Sequence, residues 1–192
     1  MAEERHVRTG VFLPPHHGND EDVSLCMERD FELVQWLEHL GYSEVWMGEH
    51  HSGGMQIYGS PELFIATAAE RTSRIGLGPG VLIPSLRHPM VNAAGTATLE
   101  AMAPGRVAVS FGTGFTGRRA MGYGAITWKF MAEYIQAFRE LLRGEVITWE
   151  GARMQMLHPE GSAPPRPVDV PILIGALGPK GQQVARELGD GL

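Results

Sequence analysis

Hydrophobic positions in this chain fall into two patterns, short apolar runs and stripes at helical spacing, and the two alternate from end to end. The first run, residues 7–13, predicts a strand that Pro14-Pro15 stops. Met27, Phe31, Val34, Leu37 and Leu40 then recur at three and four residues, as one face of a helix requires. Asn19 or Asp20 can cap that helix, with Glu21 and Asp22 in its first turn, and Gly41 is the expected left-handed stop. A second apolar run, Val45-Trp46-Met47-Gly48, ends in Glu49-His50-His51. The glycine-rich stretch 52–59 reads as a mobile loop. Ser60-Pro61 starts a helix to about residue 72, with Ser as cap and Pro at the first helical position.

The third strand, residues 75–83, carries three glycines and a proline. Glycines there weaken a sheet unless they serve a bulge, an unusual dihedral or the close approach of a flat ligand. His88-Pro89 opens a helix that Ala103-Pro104-Gly105 ends. The fourth strand, 107–111, runs into a turn with Gly112, Thr113, Gly114, Arg118 and Arg119, a plausible anion or cofactor edge. A helix follows over 127–142. A hairpin is expected with strands 146–149 and 154–157 around residues 150–153, and then an irregular crossover over 158–171. The fifth strand, 172–174, leads to a helix that starts near Lys180. Gly178 and the amides after it then suit a phosphate.

Five strand–helix units with near-continuous apolar strands predict a parallel sheet covered by helices. Both folds that use such a sheet place their sites at strand C-termini, where Glu49-His50-His51 falls. No Gly-x-Gly-x-x-Gly follows the first strand, which argues against a dinucleotide Rossmann site.

Composition narrows the classes. The chain has 192 residues, 43% hydrophobic and 20% charged, as expected for one globular domain over 1–192. A net charge of −6 gives no footprint for nucleic acid and no polybasic membrane patch. One cysteine, Cys26, excludes an internal disulfide and suits the cytoplasm; it reads as a small, partly buried hydrophobe. No apolar run approaches the roughly 18 residues of a membrane span, and the polar N-terminus is not a secretory signal.

Several segments together resemble the bacterial-luciferase-like family of flavin- and deazaflavin-dependent oxidoreductases. They are Val45-Trp46 with Glu49-His50-His51, Gly59-Ser60-Pro61, the stretch 75–81 with His88-Pro89, Pro104-Gly105-Arg106 with Gly112-Thr113-Gly114, and Pro171-Ile172 through Gly178-Pro179-Lys180 with Asp190-Gly191. The resemblance implies an α/β TIM barrel of eight βα units, which needs roughly 250 residues. The chain then holds about the first five units, so a truncated or incomplete barrel is expected. An open sheet edge would favour a homo-oligomer. It further implies that His50 serves acid–base chemistry beside the ring, with Glu49 and His51 flanking it. Gly80 and Val81 match a bulge with a non-prolyl cis peptide behind the ring. Thr113 and Gly114 match its edge or the ribityl chain, and Ala176, Gly178 and Lys180 the phosphate loop. Some luciferases have arginine where Thr113 aligns; Arg118 or Arg119 is the candidate substitute in this chain.

The implied function is a reduced-FMN and oxygen-dependent monooxygenase acting on a small organic substrate. An F420-dependent hydride transfer is the alternative, and a non-catalytic fragment or subunit a further one. From the residues alone, His16, His17, Glu49, His50 and His51 could also ligate a metal in a barrel hydrolase, although the fourth and fifth strands end without the carboxylate such a site needs.

Overall fold

The computed structural model describes residues 8–14, 16–51, 56–156 and 167–192. Parts of the expected loop 52–59 and crossover 158–171 therefore lie outside the described residues, as does Val7. Three parallel strands form one sheet in the order β1 (Gly10–Leu13), β2 (Glu44–Met47), β3 (Gly76–Pro79). Strand β4 (Val109–Phe111) pairs in parallel with β7 (Ile172–Ile174). Parallel bridges Leu77–Val107 and Leu82–Phe111 join β3 to β4, so five parallel strands run side by side as β1-β2-β3-β4-β7. A further parallel bridge carries Leu173 to Gly191. The hairpin β5 (Ile147–Trp149) and β6 (Ala152–Met154) stands apart from them.

Helices α1 (Val23–His39), α2 (Pro61–Arg71), α3 (Pro89–Met102), α5 (Trp128–Leu142) and α6 (Pro179–Leu188) follow the strands in the alternation that the periodicity predicts. The short α4 (Phe115–Ala120) and a 3-10 turn at Pro84–Leu86 are additions that periodicity could not detect, because each spans fewer than two helical turns. The core lies between strands and helices. Val45, Met47, Leu77, Val109 and Phe111 are buried there, and Phe111 meets Tyr134 and Phe138 edge to face at 5.7 and 5.1 Å.

Local details correct several expectations. The cap of α1 is Asp22, whose side chain accepts the Leu25 N–H at 3.0 Å; Asn19, Asp20 and Glu21 precede the helix. Ser60 precedes Pro61 as expected, but its hydroxyl donates to Glu62 rather than capping the backbone. The hairpin turn is two residues, Glu150 and Gly151, both at positive φ, so its strands reach closer than the four-residue turn expected. The third strand is shorter than 75–83 because its regular pairing stops at Pro79. Gly41 does end α1 in the left-handed region, with φ +85°.

Two motifs prove architectural. Arg106 donates to Ala69 O and Thr72 Oγ1 at 3.0 Å each, tying the end of α2 to the start of β4. Asp190 accepts from Ile172 N–H at 2.9 Å and Arg139 at 3.0 Å, locking the end of α6 to β7 and α5. Among the described residues, no helix is long and apolar enough to cross a membrane.

Candidate functional site

The site is built where β2, β3, β4 and β7 end. Register places these ends at one level: Met47 pairs with Pro79, and Phe111 with Ile174, so Gly48, Gly80, Gly112 and Gly175 follow in turn. Just past β2 the Glu49 carboxylate is fully buried. It accepts the Ile83 N–H at 2.8 Å, His51 Nε2 at 2.7 Å and Arg87 Nη2 at 3.1 Å. Burial pushes its carboxyl above the usual range, and Arg87, the Ile83 amide and His51 oppose that push. Arg87 also pairs with Glu62, and its carbonyl accepts the Tyr134 hydroxyl at 3.0 Å. Arg87 and Ile83 were missed by sequence reasoning. The available signal was one arginine in the apolar stretch 81–90, directly after a glycine-rich strand.

His50 differs from its neighbour. It is half-buried and lines the cavity, and its N–H donates to Tyr58 O at 3.2 Å. Burial, then the nearby His16 and His51, hold its imidazole below the ordinary value, so it is neutral at neutral pH.

At the end of β3 the Gly80–Val81 peptide bond is cis. Hydrogen bonds pin the chain on both sides of it. Gly80 N–H donates to Met47 O at 2.7 Å, Leu82 N–H to Ser110 O at 2.8 Å, and the buried Ser110 hydroxyl to Pro79 O at 2.7 Å. The three glycines of the strand have separate reasons. A Cβ on Gly76 would meet Ser43 O at 3.2 Å, and one on Gly78 would meet Ala108 O and the Trp46 ring at 2.6 Å. Those two make room for neighbouring strands. Gly80 alone lines the cavity.

Glycines of the next strands make room for the side chains that follow. A Cβ on Gly112 would lie 2.3 Å from Val81 Cγ2, and one on Gly114 would lie 2.5 Å from Ile83 Cγ2. Gly114 also has φ +72°, where glycine is favoured. The result is a cavity of about 230 Å³ walled by Glu49, His50, Gly80, Val81, Ile83, residues 112–117 and Gly175. Its walls are mostly glycine and aliphatic, with Glu49 and His50 from the end of β2 and Thr113, Phe115 and Thr116 from the turn after β4. A flat apolar ring fits such a surface, and a neutral imidazole beside it can accept or return a proton.

The structure thus brings Glu49, His50, Gly80, Val81, Thr113 and Gly114 together. Ala176, Gly178 and Lys180 are not among the cavity walls, which stop at Gly175. Gly178 caps α6 and Lys180 is exposed in its first turn. Arg118 is committed elsewhere: it donates to Gly124 O at 2.6 Å, contacts Ser85 and lies over the Tyr123 ring. Arg119 is exposed. Nor do His16, His17, Glu49, His50 and His51 form a metal set; among the described residues no three of them bring ligand atoms together, and His17 is held by Asp30 at 2.9 Å.

Comparison with known proteins follows the same outline. The family described as luciferase-like monooxygenase matches residues 7–192. The chain is 38% identical to a 4-hydroxyprotoasukamycin monooxygenase of Streptomyces nodosus subsp. asukaensis, over 94% of this chain and 50% of that protein. It is 33% identical to an F420-dependent glucose-6-phosphate dehydrogenase of Nakamurella multipartita, over 83% of this chain and 50% of that protein. In fold it resembles the oxygenating constituent of 3,6-diketocamphane monooxygenase of Pseudomonas putida, solved with FMN. That match has a TM-score of 0.78 at 18% identity, over 96% of this chain and 56% of that one. The chain spans about half the length of the curated relatives it matches.

Proposed function

Given that this chain belongs to the luciferase-like monooxygenase family, we propose that its cavity is the flavin-facing wall of a reduced-FMN-dependent monooxygenase acting with oxygen on a small organic substrate. One observation carries the reading. Glu49 and His50 from β2, the cis Gly80–Val81 peptide from β3 and the glycine turn after β4 converge on one cavity. Gly80, Gly112 and Gly114 all border the cavity, and the space their Cβ atoms would take is filled from behind by Trp46, Val81 and Ile83, which packs the wall a ring would lie against. When bound, reduced FMN supplies the electrons that activate oxygen.

In this reading Val81 and the backbone around it support the ring, and Thr113 and Gly114 bound its edge. His50 is the catalytic residue, a neutral imidazole that takes and returns a proton at the reacting edge. Glu49 is a positioning residue. It holds His51 and the Ile83 amide, and so fixes both the chain after His50 and the chain after Val81. No lysine or arginine is among the cavity's described walls. The phosphate is assigned to the turn beyond Gly175, through Ala176, Gly178 and Lys180.

The Glu-His-His ending and the higher identity to a monooxygenase favour oxygenation over hydride transfer. F420 is the second reading, favoured by the 33% identity to an F420-dependent dehydrogenase. There the same wall would hold a deazaflavin, and His50 would serve a hydride transfer. The chain is titrated with FMN and separately with F420, following tryptophan and cofactor fluorescence. Saturable binding of FMN alone is expected. Binding of F420 alone moves the function to hydride transfer, and binding of neither overturns the reading for this chain.

A further inference from the structure

The loop from β1 to α1 and the first turns of α1 gather a second set of reactive side chains. One ring nitrogen of His17, a carboxylate oxygen of Glu21 and Cys26 Sγ lie within 4.8 Å of one another. His17 Nε2 is held by Asp30 Oδ2 at 2.9 Å, with both side chains largely buried. An imidazole that gives its Nε2 proton to a carboxylate keeps the lone pair on Nδ1, the arrangement that orients metal-binding histidines. Imidazole, carboxylate and thiol together suit a soft divalent ion.

Beside the cluster, the buried Tyr58 hydroxyl faces the Asp30 carboxylate that holds His17; burial, then Asp30, push its ionisation upward. Arg29 supplies the remaining clue. Its guanidinium donates to Cys26 Sγ at 3.1 Å and also contacts Glu21, so a cation already sits against two of the three donors. That side chain is 55% exposed and free to swing into water.

We propose that this cluster is a binding site for a zinc-like divalent cation. The ligands are His17 Nδ1, the Glu21 carboxylate and the Cys26 thiolate. Arg29 is the cation displaced when the metal enters from the exposed Glu21 side. On binding, Cys26 gives its proton to solvent and Arg29 leaves the thiolate and carboxylate to the metal. The ion would tie the loop that carries His16, a neighbour of His50, to the body of α1. The site is separate from the flavin-facing cavity, so it stands or falls independently of the function proposed above.

Cobalt(II) is the probe, added to the reduced, chelator-free chain. Because Cys26 is its one cysteine, a thiolate-to-cobalt absorption band identifies this site without ambiguity. One equivalent should produce that band with tetrahedral visible absorption, and zinc should abolish both. Cys26→Ser should remove the band, and Arg29→Met should tighten binding. Asp30→Asn should weaken it by about 10–100-fold, the usual effect of losing a carboxylate behind a ligating histidine. Circular dichroism checks the fold of each variant. If Cys26→Ser fails to fold, His17→Gln and Arg29→Met, moving affinity in opposite directions, decide the matter. A folded chain with no thiolate band at excess cobalt overturns the proposal. So does a weak octahedral spectrum that His17→Gln leaves unchanged.

Discussion

The turns after β2, β3 and β4 and the turn after β7 look alike in sequence, each a glycine-bearing stretch at a strand end, yet they are built differently. In the first group the glycines are filled by neighbours: Val81 occupies the space a Cβ on Gly112 would need, and Ile83 that of Gly114. A buried carboxylate, three strand ends and an arginine hold the group together. After β7 only Gly175, whose Cβ would meet Val81, belongs to the wall; beyond it a Cβ on Gly178 would meet nothing within 4 Å among the described residues, and Leu177 is 98% exposed. A glycine-rich turn is therefore not by itself a packed wall. What distinguishes a built wall is whether other elements lean on the glycines.

The sharpest way to break this contrast is at Glu49. Glu49→Gln should cost about 1–3 kcal/mol of stability, because the amide cannot accept all the hydrogen bonds that the buried carboxylate accepts while Glu62 still holds Arg87. Chemical denaturation reads it, and a loss within about 0.5 kcal/mol, the scale of an ordinary surface substitution, would refute the central role of this carboxylate.

Next in size is His50→Ala, which should lower turnover by about 100-fold or more while leaving cofactor affinity nearly unchanged, as loss of a general acid–base group does. The same variant carries a pH signature. The lowered pKa of His50 means the unfolded chain binds more protons as pH falls below 6.5. The contribution of His50 to stability is therefore full above that pH and declines as pH drops toward the lowered folded value. His50→Ala should flatten the decline; an unaltered pH profile would show that burial of this imidazole is not what sets it.

Two glycines then test the contrast directly. Gly112→Ala must push Val81 aside and should cost about 1–3 kcal/mol with weaker cofactor binding. Gly178→Ala, at φ −91° in open space, should stay within about 0.5 kcal/mol. Equal effects at both would erase the distinction between the two regions. The smallest effect is expected from Lys180→Ala. It should weaken FMN by no more than about 1 kcal/mol, the scale of an exposed ion pair, and leave riboflavin unaffected. An equal loss for both ligands would place Lys180 away from the phosphate.

Much of this was legible in the sequence because it depends on local rules. Helical periodicity together with Pro and Gly terminus signals located five of the helices, and the apolar runs marked the parallel strands. The Glu-His-His ending and the glycines of β3 were visible as chemistry at strand ends. Their division of labour was not. Gly78 serves Trp46 and the Ala108 carbonyl while Gly80 faces the cavity, a difference set by which strand lies alongside. Arg87 reaches Glu49 from 38 positions further along the chain, and Gly175 meets Val81 from still further. Periodicity is a property of neighbours in sequence, so the chain alone determined its elements and the ends that bear reactive groups. Strand register and close packing are properties of neighbours in space. Only they decided which of those ends share a wall, which carboxylate is buried, and which histidine is left facing the cavity.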